Sequence, residues 1–271
     1  MSKGFPKDEN GYIVNIGSKH LIQSEFIPVL EKTQNLCKNQ LGNALVSFFV
    51  IGSVSCGKGY PYFSDLDLVV VTDIEQSINE KKWTLPAIDE LVQLYPVITD
   101  IDLTLITLGD LLYSEAANRL RVNVATQSAL LFGRDIYSSL PKFGPNRELA
   151  LYIYPNLENE FINLRKIFTG ESNNTSYLLR ERSLVFWCVW TMRTLLRSAH
   201  ALAMITTGVY NRELKACLDG TIVVYPNLQK LLEYAYRWAL SPVADADAII
   251  RFLDGYLPIF LDLWHKKIEV Q

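Results

Sequence analysis

Two aspartates stand one residue apart in the segment YFSDLDLVVV, and this pair constrains the chain more than any other feature. The branched run LDLVVV over 66–71 reads as a buried strand, because such side chains pack well on a pleated surface. Side chains two apart on a strand project from one face, so Asp65 and Asp67 present their carboxylates side by side. Burying an unpaired carboxylate costs on the order of several kcal/mol. The strand carries no Lys or Arg of its own. A bound metal is the simplest counter-charge.

The flanking segments extend that reading. Residues 45–51 are dense in Val, Phe and Ile and form a second candidate strand, which ends on Gly52-Ser53. Glycine removes a Cβ, so a phosphate can approach the backbone closely there. A Gly/Ser/Pro-rich connection runs from Gly52 to Ser64, and a third strand is expected over 97–107, with Asp100, Asp102 and Thr104 on one face. Carboxylates near a phosphate cradle suit Mg²⁺ that also takes triphosphate oxygens. Asp65, Asp67 and Asp102 together could form a two-ion clamp, with Asp100 the rival for the third place. Within the connection, Lys58 could touch a triphosphate or be a plain loop lysine. Ser64 could contact a ligand or bond the backbone. Tyr60, Tyr62 and Phe63 could stack on a base or pack back onto the domain.

Gly52-Ser53 followed after ten residues by Ser64-Asp65-Leu66-Asp67-Leu68-Val69-Val70 resembles the signature of the nucleotidyltransferase superfamily with a DNA polymerase β-like palm. It matches that pattern without departure, and Ile101-Asp102-Leu103 resembles the family's later, hydrophobic-flanked carboxylate. The resemblance is strong over 45–107 and weak elsewhere. It implies an α+β chain: an N-terminal nucleotidyltransferase domain, with a mixed sheet and flanking helices, then a C-terminal helical bundle. That layout resembles the aminoglycoside adenylyltransferases. The implied reaction is Mg²⁺-dependent transfer of NMP, most simply AMP from ATP, to a hydroxyl of a small molecule such as an antibiotic. Asp65 and Asp67 would bind both metals, Asp102 one, and Gly52 and Ser53 the β- and γ-phosphates. A tRNA end or a protein hydroxyl fits the same catalytic half. A nucleotide sensor or antitoxin-like module is the non-catalytic alternative, although an intact carboxylate set favours an enzyme. Many small nucleotidyltransferases complete their acceptor site across a dimer, so a homodimer is compatible with the resemblance.

The second half differs. Helical patterns run over 147–168, 177–207, 226–240 and 244–267, interrupted by one brief strand-like run, TIVVY at 221–225. The domains are therefore expected at 1–145 and 146–271, the second binding the acceptor at the interface. Glu158, Glu160 and Glu181 could serve a polycationic acceptor, and Glu115 a base or surface role. Arg193-x6-His200 satisfies the loose Arg/His spacing of HEPN ribonucleases, which chance also supplies. Arg193, Arg197 and His200 share one helical face, suited to phosphate or to solvent. Trp187, Trp190 and Trp238 read as bundle core, and His20 and His265 as polar surface.

At 271 residues, 49% hydrophobic and 20% charged, the chain has material for a real core. Its net charge of −3 argues against a dedicated nucleic-acid binder. Cys37, Cys56, Cys188 and Cys217 form neither a C-x-x-C pair nor a Cys/His cluster, so reduced thiols in a cytoplasmic protein are expected. The start has no apolar run of a secretory signal, and SLVFWCVWTM is too short to span a bilayer.

Overall fold

The computed structural model describes residues 4–75, 82–171 and 183–269. Its chain separates into two compact units. One holds Pro6–Asp8 and Ile13–Phe143; the other holds Gly144–Gln271, the N-terminal piece ending at Phe5, and Glu9–Tyr12.

The first unit is built on four strands, β1 (Leu45–Ile51), β2 (Leu66–Thr72), β3 (Ile101–Thr107) and β4 (Ser128–Gly133). Their order is β3-β2-β1-β4, with β2 and β3 parallel and the other neighbours antiparallel, so the sheet is mixed as expected. The central strands β1 and β2 are apolar almost throughout because both of their faces are covered. On one face Phe48, Val50, Leu66, Leu68 and Val70 pack with Val29 and Leu30 of α1 (Ile27–Leu41). A four-residue turn of helix, α2 (Gly52–Ser55), follows β1, and Ile88 and Leu91 of α3 (Thr84–Leu94) close the same layer.

On the other face Phe49, Ile51, Val69 and Val71 meet Leu111 of α4 (Leu108–Tyr113) and Val124 of α5 (Asn118–Thr126). Each fully buried Val, Leu, Ile or Phe contributes about 1.5–3 kcal/mol. The edge strand β3 alternates instead, burying Ile101 and Leu103 while Asp102 and Thr104 stay half-buried. It begins later than the expected 97, because the backbone of 97–99 is engaged by the preceding loop: Tyr62 N–H donates to Val97 C=O at 2.7 Å and Thr99 N–H to Ser64 C=O at 3.0 Å.

The second unit is helical among the described residues: α6 (Arg147–Ile153), α7 (Leu157–Phe168), α8 (Leu184–Thr207), α9 (Leu214–Val224), α10 (Gln229–Leu240) and α11 (Ala246–Trp264). The 24-residue α8 packs against each of the other five. Its buried positions run almost around its circumference, Leu195, Leu196, Ala199, Leu202 and Ala203 included, as a central helix requires. Ser183 caps its start by accepting the Phe186 N–H at 3.2 Å, and Gly208, at φ 62°, ends it in the left-handed region.

Three expectations need correction here. The pattern over 147–168 is two helices, because Pro155 cannot continue a helix and restricts Tyr154 before it. The strand-like TIVVY lies mostly in α9, where Ala216, Cys217 and Thr221 are buried at helical spacing and the Thr221 hydroxyl donates to Cys217 C=O at 2.6 Å. Packing on α8 overrides the β-branched preference. Trp190 is 40% exposed and stacks on Phe186, so the most buried tryptophan is Trp264, at 1%. Of the expected pattern 177–207, residues 177–182, including Glu181, lie outside the described residues. No helix among the described residues is long and apolar enough to cross a membrane.

Asp245 caps α11 by accepting the Ala248 N–H at 2.9 Å. Asp245→Ala should cost about 1 kcal/mol, read as a lowered denaturant midpoint with an unchanged m-value.

Candidate active site

The parallel pairing of β2 and β3 sets Asp67 opposite Asp102 in register. Adjacent strands lie about 4.8 Å apart, so the two carboxylates rise side by side from one sheet face. That face is the one carrying Val69 and Val71 further along β2. Both aspartates are half-buried, and Asp65 is half-buried at the entry to β2. Asp100 sits just before β3; its C=O accepts the Leu66 N–H at 2.9 Å and its Oδ1 accepts the Ile101 N–H at 2.8 Å. Its carboxylate thus serves its own strand entry.

Gly52 is held against this pair. It follows Ile51, whose Cα partners Asp67, and adopts φ 76°. A Cβ there would stand 2.8 Å from Asp67 Oδ2, so the backbone and the carboxylate share one small space that only glycine leaves open. The turn is anchored from beneath by Gln127: its C=O accepts the Gly52 N–H at 3.0 Å and the Ser55 hydroxyl at 2.8 Å. Ser53 is half-buried in the same turn, and its C=O accepts the Cys56 and Lys58 N–H groups at 3.2 and 2.9 Å.

The remaining predicted residues are placed as follows. Ser64 Oγ accepts the Tyr60 N–H at 2.9 Å, closing the loop back on itself. The Lys58 side chain is exposed. Tyr60, Tyr62 and Phe63 do not pack back onto the domain: they are 73%, 64% and 83% exposed, and Tyr62 takes a left-handed φ of 71°, uncommon for a bulky residue. Glu115 is exposed, and Glu158 sits 3.4 Å from His265. Arg193 and Arg197 are half-buried and His200 is 4% exposed, so this helical face is not a solvent face. Burial pushes the Cys56 thiol up, against the smaller opposing effects of the Ser55 hydroxyl and Lys58, and it stays protonated near neutral pH.

Sequence reasoning missed the supports. The contribution of Gln127 is a backbone carbonyl, which has no side-chain signature. Arg121, 3% exposed, donates to the carbonyls of Leu111 and Ser114 and to Asn118 Oδ1, fixing the segment between α4 and α5. In ANRLRVNVAT it looks like any surface arginine.

Among the described residues no three His, Cys, Asp or Glu side chains are gathered as a ready-made metal cage. Magnesium does not need one. It usually takes one or two carboxylates and completes its octahedron with phosphate oxygens and water. Two hard carboxylates in register, with a third two residues upstream, fit that requirement.

No protein-family model and no curated protein matches the chain. Among solved structures it is similar to a spectinomycin adenyltransferase, AAD(9) from Enterococcus faecialis, determined with ATP and spectinomycin. The TM-score is 0.54 at 14% identity, covering 84% of this chain and 98% of that one. A tri-AMPylated Shewanella oneidensis HEPN toxin with its MNT antitoxin reaches only 0.27 at 16% identity, over 54% of this chain and 96% of that one, too low to bear on the fold. The mixed sheet, the carboxylates it aligns and the likeness to the adenyltransferase agree: this chain has a nucleotidyltransferase-type fold.

Proposed function

We propose that the protein transfers a nucleoside monophosphate, AMP from ATP in the simplest case, to a hydroxyl of a small molecule. The observation that carries this reading is the register of Asp67 with Asp102, with Gly52 closed against the Asp67 carboxylate. Asp65, Asp67 and Asp102 are the residues that would hold Mg²⁺, and Asp102 has the better claim to the third place because Asp100 bonds its own strand. When bound, magnesium would neutralise charge on the α-phosphoryl group and lower the pKa of the acceptor hydroxyl. Gly52 and Ser53 would hold the β- and γ-phosphates, and the missing Cβ lets the turn lie against the Asp67 carboxylate. In this reading Asp102 would also help to deprotonate the acceptor hydroxyl. The cytoplasm, where Mg²⁺ and ATP are abundant and the four free thiols persist, is the compartment that suits this chemistry.

The test is direct. Purified protein with Mg²⁺ and each labelled NTP is offered aminoglycosides, lincosamides, tRNA and candidate proteins, with the Asp65→Ala/Asp67→Ala double variant as control. Label on a small molecule, lost in the double variant, is the expected result. Label on tRNA or protein would keep the reaction and change the acceptor. Metal-dependent NTP binding with no transfer to any acceptor would favour a sensor or antitoxin-like module. Absence of Mg²⁺-dependent NTP binding would overturn the reading altogether.

A further inference from the structure

The helical unit contains a small cavity lined by several polar side chains. Ile153, Tyr154, Arg197, His200, Tyr210 and Arg212 line it, and its volume of about 10 Å³ admits one oxygen-sized atom. His200 is 4% exposed, yet neither ring nitrogen has a hydrogen-bond partner; the Val209 backbone lies close to the ring without completing a bond. Tyr210, 5% exposed, has an unpartnered hydroxyl as well. Buried polar atoms are nearly always satisfied, and three such atoms on two residues lining one cavity point to a missing ligand.

Charge says what kind. Arg197 spends its Nε on the Arg212 C=O at a long 3.4 Å, and the charged side chains acting on it are the guanidinium groups of Arg212 and Arg193. Burial, reinforced by these like charges, pushes Arg197 down to about 10, and burial pushes His200 down to about 4. The imidazole is therefore neutral at pH 7, with one N–H to donate. Two arginines, a histidine and a tyrosine, all hydrogen-bond donors, line a space of one atom. A water molecule would fill that space but bring no charge to oppose the two half-buried guanidinium groups. An oxyanion supplies acceptor lone pairs and the opposite charge together, and a guanidinium fork matches its geometry.

We propose that Arg197, His200, Tyr210 and Arg212 form an oxyanion site, seating one oxygen of a phosphoryl group inside the helical unit. The group could come from free inorganic phosphate or from a nucleotide. Its residues all belong to the helical unit, and binding there does not depend on the transfer reaction.

The experiment titrates the full chain with inorganic phosphate and, in a second arm, with AMP. Calorimetry reads the affinity, and the His200 imidazole proton resonances report locally. One phosphate should bind per chain with saturable His200 shifts, in the wild type and equally in Asp67→Asn. Arg212→Gln, a half-buried change in the loop before α9, should weaken binding at least about tenfold, the loss of one charge-assisted hydrogen bond. Lys215→Gln, exposed on α9, should not alter it. Thermal melts establish that each variant is folded. Tighter AMP binding with the same His200 shifts would name a nucleotide as the source; phosphate binding alone would name the free ion. Unmoved His200 resonances, or phosphate affinity unchanged in both Arg212→Gln and a folded Arg197→Gln, would overturn the site.

Discussion

Replacing Asp67 by Asn is expected to lower the rate of nucleotidyl transfer about a thousandfold while leaving the melting temperature unchanged or slightly raised. The substitution keeps shape and volume, so β2 and its pairing with β1 and β3 are preserved. What it removes is one negative charge beside Asp102. Two carboxylates in register on adjacent strands would repel if both are charged, and neutralising one would relieve that repulsion. During transfer the same charge is needed to hold Mg²⁺ against a tetra-anionic nucleotide, and an amide oxygen is a far weaker ligand. Activity and stability should therefore move in opposite directions, as they do where a site stores electrostatic strain for function. Initial rates with labelled ATP, beside thermal melts of the same preparations, measure both. A rate within threefold of wild type would remove Asp67 from the mechanism. A large fall in melting temperature would recast it as a structural residue.

The sequence made the two ends of the site legible for different reasons. Asp65 and Asp67 stand out because carboxylates break the pattern of a strand otherwise apolar on both faces, and β2 is such a strand. The third carboxylate could be narrowed only to Asp100 or Asp102, since alternation gives both the same face. Their separation depends on where β3 begins, and that is decided by the loop hydrogen bonds to Val97 and Thr99. Nothing local encodes those. The supports under the turn were invisible for a related reason: Gln127 acts through its carbonyl, and β4 follows it only because α5 ends there.

In the helical half, the brief TIVVY run misled because β propensity reports a fit to a pleated, half-buried surface. In α9 the same residues meet the side of α8 instead. The Arg193, Arg197 and His200 face was visible as a helical stripe, but whether a stripe faces water or a cavity is a question of partners. Tyr210 and Arg212 come from the loop after α8, and no periodicity within α8 announces them.

Gly52→Ala should be the most damaging change that introduces no charge and removes none. Two separate costs arise. An L-residue at φ 76° pays about 1–2 kcal/mol for the left-handed backbone. The new methyl would also stand 2.8 Å from Asp67 Oδ2, so the carboxylate or the end of β1 must shift. Overpacking of that kind adds about 1–3 kcal/mol. For a chain of this size the sum lowers the melting temperature by roughly 5–10 °C. Displacing Asp67 by about 1 Å should also slow transfer about a hundredfold, because catalysis depends on near-attack geometry. A double-mutant cycle separates the two costs. In an Asp67→Ala background the clash partner is gone and only the backbone strain remains, so Gly52→Ala should cost about half as much there. If it costs the same with and without the Asp67 carboxylate, the close approach of turn and strand is not what requires glycine, and the turn's left-handed backbone alone explains the residue.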